Sequence, residues 1–114
     1  MKFIIILLLL PVLAFAQDDS FSSTKALAEE GDAIAQAELG FMYFEGKGVP
    51  ENETEAVKWF RLAAEQGLAG AQHWLGMMLS IGVGVPENHT ESRKWFRSAA
   101  EQGHTGAQLQ LGNR

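Results

Sequence analysis

An all-α solenoid of antiparallel helix pairs is the fold that this 114-residue sequence predicts, and three observations lead to it. The stretch from Ala35 to Gly70 recurs from Ala71 to Gly106, 36 positions on, with about two-thirds of positions identical, and a third copy begins at Ala107. A fixed period of this size marks repeated units that bury their apolar faces only against their neighbours. Inside each copy the apolar residues return at three- and four-residue steps, the stripe of an amphipathic helix. Glycine and proline punctuate the copies at matching places, as turns between helices require. About six helices are expected after an N-terminal signal peptide, and such an array offers a surface for binding rather than a pocket for chemistry.

At the amino end, Lys2 precedes an unbroken apolar run from Phe3 to Leu10, then Pro11 and Ala14-Phe15-Ala16. Charged start, apolar centre and small-residue cleavage site predict a signal peptide over 1–16, with Gln17 opening the mature domain at 17–114. The run from Phe3 to Ala16 is shorter than the roughly 20 apolar residues that cross a bilayer, so no stable membrane insertion is expected once it is removed. The localisation implied is periplasmic or secreted. No cysteine follows the cleavage point for lipid attachment, and with no cysteines at all the exported domain must hold together by packing alone.

The formal charge is −5, and loss of Lys2 takes it to −6, because no other charge precedes Asp18. An acidic domain has no electrostatic reason to seek nucleic acid or anionic lipid.

The first unit, about 20–45, is degraded: Ser23 and Thr24 stand where Trp59 and Phe60 stand in the next, leaving Phe21 and Leu27 as the large apolar residues of its first helix. It is expected to be an N-terminal cap, since terminal repeats meet water on one side. The second pair occupies 53–80. Asn52-Glu53-Thr54-Glu55 places a capping residue three positions before a glutamate, and Pro50 sits where a helix cannot already be running. Ala56, Trp59, Phe60, Ala63 and Ala64 then mark a helix over 53–66 that ends at Gly67, suited to a left-handed cap. A second helix over 69–80 turns Ala71, Leu75 and Met78 inward. The third pair, 89–112, repeats the scheme from Asn88 through Trp95, Phe96, Ala99 and Ala100 to Gly103, and its second helix is short. Gly40, Gly76 and Gly112 recur one period apart inside helices, where glycine costs about 1 kcal/mol relative to alanine. Their recurrence predicts that another backbone passes too close for a methyl group. Gly46-Lys47-Gly48 and Gly82-Val83-Gly84 resemble phosphate loops only in part: no strand precedes them and the Lys-Ser/Thr is missing, so they are assigned to turns.

These residues resemble the Sel1-like repeats, relatives of tetratricopeptide repeats with a slightly longer unit. The resemblance rests on Ala35-Gln36, Leu39-Gly40, Met42-Tyr43, Gly46-x-Gly48-Val49, Ala56-x-x-Trp59-Phe60-x-x-Ala63-Ala64-x-x-Gly67 and their copies, and covers about 24–112. It implies an α/α solenoid acting as adaptor or scaffold in protein–protein contacts. One cysteine-rich branch of the family is linked to β-lactam binding, and the absence of cysteine here argues against carrying that activity over.

Positions that differ between copies are freer to serve a partner. The clearest is Trp74, whose counterparts are Glu38 and Gln110; it is either an interface anchor or a cover for the adjoining helix. Trp59, Phe60, Trp95 and Phe96 recur in step with the alanines and are assigned to the core. Lys58, Arg61, Lys94 and Arg97 form either a basic stripe for acidic groups of a partner or a solvated face paired with Glu55, Glu65, Glu91 and Glu101. The sequons at Asn52 and Asn88 are explained by helix capping. His73, His89 and His104 lack the spacing of metal ligands and are given surface or capping roles. No Gly-x-Ser-x-Gly elbow or cysteine nucleophile is present, so no catalytic, cofactor or metal residue is assigned. The function expected is a non-enzymatic, periplasmic interaction module or scaffold, binding a protein through the concave face or the C-terminal end, where a contact between copies is the other use. An immunity or inhibitor protein against one toxin or enzyme is the alternative.

Overall fold

A computed structural model of the chain describes residues 20–112; the predicted signal peptide and its cleavage point lie outside the described residues. Six helices and no strand are found among these residues: α1 over 20–29, α2 Ala33–Glu45, α3 Glu53–Glu65, α4 Ala69–Ile81, α5 His89–Glu101 and α6 Thr105–Gly112. They form antiparallel pairs, with α1, α3 and α5 in one layer and α2, α4 and α6 in the other. The most extensive contacts join α2 to α3 and α4 to α5, across the boundaries of the pairs. Each unit is therefore stabilised chiefly by its neighbour, as a solenoid requires.

The capping asparagines do what their position predicts. Asn52 Oδ1 accepts from the Glu55 amide at 3.1 Å and Asn88 Oδ1 from the Glu91 amide at 3.0 Å. Their own amides are not satisfied by the glutamates; they donate at 2.8 Å to the carbonyls of Tyr43 and Leu79, tying each cap to the end of the preceding helix. Gly67 and Gly103 have φ of +93° and +87°, the left-handed conformation expected after α3 and α5.

Close approach inside the helices has a different cause from the one predicted. At Gly40 a Cβ would come within 3.0 Å of the Phe60 ring, and at Gly76 within 2.9 Å of the Phe96 ring. An aromatic ring of the next helix, not a backbone, occupies the methyl's place. Gly112 has no such neighbour within 4 Å, so its match to the other two is not explained by packing. The true backbone approach is at Gly84 in the turn after α4, where a Cβ would overlap the carbonyl of Glu53 and φ is +70°.

Ala56, Phe60, Ala63, Ala64, Ala71, Leu75, Met78 and Leu79 form the central core with Val57. Phe96 is buried as predicted, but Trp59 and Trp95 are half-buried: Trp59 lies over Ala28, Ala35 and Leu39, and Trp95 packs against the central cluster. Each indole thus reaches back over the preceding unit. In α1, Phe21 meets the Tyr43 ring edge-on at 5.9 Å while Leu27 is 50% exposed, so only one of that helix's two large apolar residues packs inward.

A glutamine ladder runs between the layers. Gln36, Gln72 and Gln108 donate to the carbonyls of Ala28, Ala64 and Ala100 at 3.1, 3.1 and 3.2 Å. Gln66 bridges back to Gly31 O and Gln36 Oε1, and Gln102 to Gly67 O and Gln72 Oε1, all within 2.8–3.0 Å. Gln36 and Gln72 are buried, and no buried side-chain polar atom among the described residues lacks a partner. Amides in a dry interior are retained when every hydrogen bond is made.

Candidate partner-binding surfaces

The five candidate residues do not form one site. Lys58 and Arg61 lie on α3 and Lys94 and Arg97 on α5, in one layer, while Trp74 lies on α4, in the other.

On the first layer, individual ion pairs decide the electrostatics. Lys58 Nζ is 3.3 Å from Glu55 Oε2 on an exposed turn. Arg61 reaches from α3 to α5 and donates to Glu91 Oε2 at 2.5 Å, and Trp95 Nε1 donates to the same oxygen at 3.2 Å. The Arg61 hydrogen bond holds the Glu91 carboxyl below the usual glutamate range, against the opposing effect of partial burial; the Trp95 bond and the charges of Arg61 and Lys94 act in the same direction as the Arg61 bond. Lys94 and Arg97 are exposed and have no ion-pair partner among the described residues. Lys94 borders a shallow cleft of about 180 Å³ with Glu91, Trp95 and Ser98. Of the four basic residues, two are engaged within the fold and two are presented outward.

On the second layer Trp74 is half-buried in an aromatic cluster. It meets Phe41 edge-on at 5.1 Å, Phe44 at 5.9 Å and Phe60 in a stacked arrangement at 6.2 Å, and Phe41 meets Phe60 edge-on at 4.9 Å. Trp74 therefore bridges α4 to α2 and α3, with part of its indole left at the surface. One unit earlier, Thr24 and Glu38 replace Phe60 and Trp74, and there a cleft of about 320 Å³ opens, lined by Ser20, Thr24, Glu38, Phe41, Met42, Glu45 and Lys47. The same layer exposes Ile34, Ile81 and Leu109 at 64%, 64% and 62%. Sequence comparison of the copies did not single these out, although all three stand where other copies carry Gly70 and Gly106, Glu45, or Ala37 and His73.

Among the described residues no group of three or more His, Cys, Asp or Glu side chains could hold a metal ion, and no helix is long and apolar enough to cross a membrane. The fold does bring His73 and His104 together, which spacing alone did not reveal.

Two layers of helices with exposed, unit-specific side chains define an α/α repeat scaffold. The chain belongs to the Sel1 repeat family, whose model matches residues 33–68 and 69–104, each match pairing α2 with α3 or α4 with α5. Sel1 repeats are generally non-catalytic protein–protein interaction modules. A Sel1 repeat protein from Oxalobacter formigenes superposes with a TM-score of 0.79 at 36% identity, over 80% of this chain and 68% of that one. The uropathogenic Escherichia coli protective antigen c5321 gives 0.82 at 42% identity over 84% of this chain and 21% of its own. Cysteine-rich protein B of Helicobacter pylori shares the fold, with a TM-score of 0.73 at 24% identity over 76% and 65% of the two chains. The secretory immunoglobulin A-binding protein EsiB of Escherichia coli is 49% identical over 39 residues, which is 34% of this chain and 8% of EsiB.

Proposed function

We propose that the chain is a non-enzymatic protein-interaction module exported to the periplasm, holding its partner on side chains that differ from one unit to the next. The observation that carries this reading is the exposure of Ile34, Ile81 and Leu109 on one layer at positions the other copies fill differently. Exposed aliphatic side chains that the repeat does not dictate offer separate apolar contacts for a partner to cover. Lys94 and Arg97 repeat Lys58 and Arg61 in sequence but, unlike them, are left without an ion-pair partner among the described residues; presented outward on the other layer, they suit a partner's carboxylates, and contacts through them weaken as salt rises. The binding of immunoglobulin A in EsiB's name is an activity of the same kind, and the short match makes that antibody one probe among several.

The test is affinity capture from the native envelope fraction with mass-spectrometric identification, run with the unaltered protein and with an Ile34→Ser/Ile81→Ser variant. The variant is expected to keep its fold, both sites being exposed, and to lose the captured partner. Equal capture by both proteins would remove the aliphatic surface from the reading. Export is tested by N-terminal sequencing of the native protein, expected to begin at Gln17; recovery of the intact chain from the cytosol would refute it.

A further inference from the structure

The residue that begins the second helix of each pair differs in every copy: Asp32, Leu68, His104. Asp32 accepts from the Ala35 amide at 2.9 Å, and Leu68 offers no side-chain cap. His104 Nδ1 accepts from the Ala107 amide at 3.2 Å. An imidazole nitrogen accepts only while it carries no proton, so this cap exists only in the neutral tautomer with hydrogen on Nε2.

His73 of α4 lies against that ring, with centroids 4.7 Å apart and planes 31° apart. It is half-buried, with Phe96 of α5 at 5.7 Å and Trp74 of its own helix at 6.3 Å, and on α6 a Cβ at Gly106 would lie 3.1 Å from His73 Nε2. No Asp, Glu, Lys or Arg side chain among the described residues hydrogen-bonds or ion-pairs with either imidazole. His104 is the titratable group facing His73, and both rings stand at the amino end of α6, where the helix dipole is positive. Burial, and then the charge of His104, push the His73 pKa below the ordinary histidine value.

We propose that the His73–His104 pair is an acid-sensitive clamp on α6: protonation removes the His104 cap, sets two cations face to face at the positive end of the helix, and releases α6 from α4 and α5. Release uncovers Phe96 and Ala99, which are buried with Ala107 in one cluster. Because His73 binds its proton less readily docked than released, docking is fully favoured above the ordinary histidine value of 6.5 and weakens as pH falls below it.

Amide hydrogen exchange at Ala107 to Leu111, followed by NMR and corrected for intrinsic rates, tests the clamp. Between about pH 7.5 and about pH 5.5, either side of the ordinary histidine range, α6 protection should fall while α3 protection holds. The expected fall is about fivefold, the equilibrium factor of one lost helix cap. His104→Asp supplies the cap that Asp32 supplies in the first pair and stays ionised over that range, so it should abolish the fall. An equal fall in His104→Asp, or flat protection in the unaltered protein, overturns the proposal. If the variant fails to fold, the unaltered protein decides: a fall in α6 protection that follows the imidazole titration of His73 across the same pH range supports the clamp, and a fall that does not follow it overturns it.

Discussion

Replacing Trp74 with alanine separates an anchor held by the fold from one held only by a partner. Truncating a fully buried tryptophan costs about 3–5 kcal/mol. Trp74 is half-buried, which scales that range down to about 2 kcal/mol, and its ring contacts with Phe41, Phe44 and Phe60 add several tenths more. A loss of about 2–3 kcal/mol is therefore expected, equivalent to a fall in Tm of roughly 8–24 °C for a domain of this size. Urea denaturation followed by far-ultraviolet circular dichroism measures it without relying on the deleted fluorophore. Trp74→Phe, which keeps a ring against Phe41 and Phe60, should recover about half of the loss. A loss for Trp74→Ala below about 0.5 kcal/mol, the scale of an ordinary surface substitution, would refute the packing argument and leave the indole free for a partner alone.

Gln102→Ala should cost about 1–2 kcal/mol in the same urea assay, because it strips Gln72 Oε1, in a buried side chain, of a donor. Gly76→Ala should destabilise, because its Cβ would meet the Phe96 ring at 2.9 Å, whereas Gly70→Ala, with open space in the same helix, should stabilise by about 0.5–1 kcal/mol; equal effects at the two sites would contradict the ring-on-glycine account. Arg61→Ala should cost less than about 1 kcal/mol, since its bond to Glu91 is one-third exposed to water. The sign follows from the lowered Glu91 pKa: the contribution is present above the ordinary glutamate range and disappears as pH falls through the folded value, so unaltered and Arg61→Ala stabilities should converge in acid.

The period, the capping asparagines and the alanine stripe made the all-α solenoid legible in the sequence, because each is a local signal that the repeat displays twice. The ring-on-glycine contact was half legible: recurrence marked Gly40 and Gly76 as crowded, but nothing local says whether a ring or a backbone arrives there. The glutamine ladder was visible as letters, Gln36 and Gln72, without its partners, since hydrogen bonds spanning 30 or more positions depend on how units stack. The same holds for Arg61 with Glu91 and for His73 with His104, which meet only once adjacent pairs are docked. Mismatch between copies named Trp74, and the helix bounds already put it on a different helix of the pair from the four basic residues; its packing against Phe41, Phe44 and Phe60 depends on how units stack and was not legible.

The heaviest contacts fall between pairs rather than within them, and this has a consequence for how such chains change length. Phe60 on Gly40 and Phe96 on Gly76 are one joint used twice, as are the bridges from Gln66 and Gln102. An in-frame duplication of 36 residues, wherever the cut falls in the regular part of the array, regenerates that joint without inventing a new interface. Array length is then a variable that recombination can alter in single steps, with each added segment arriving already fitted to both of its neighbours.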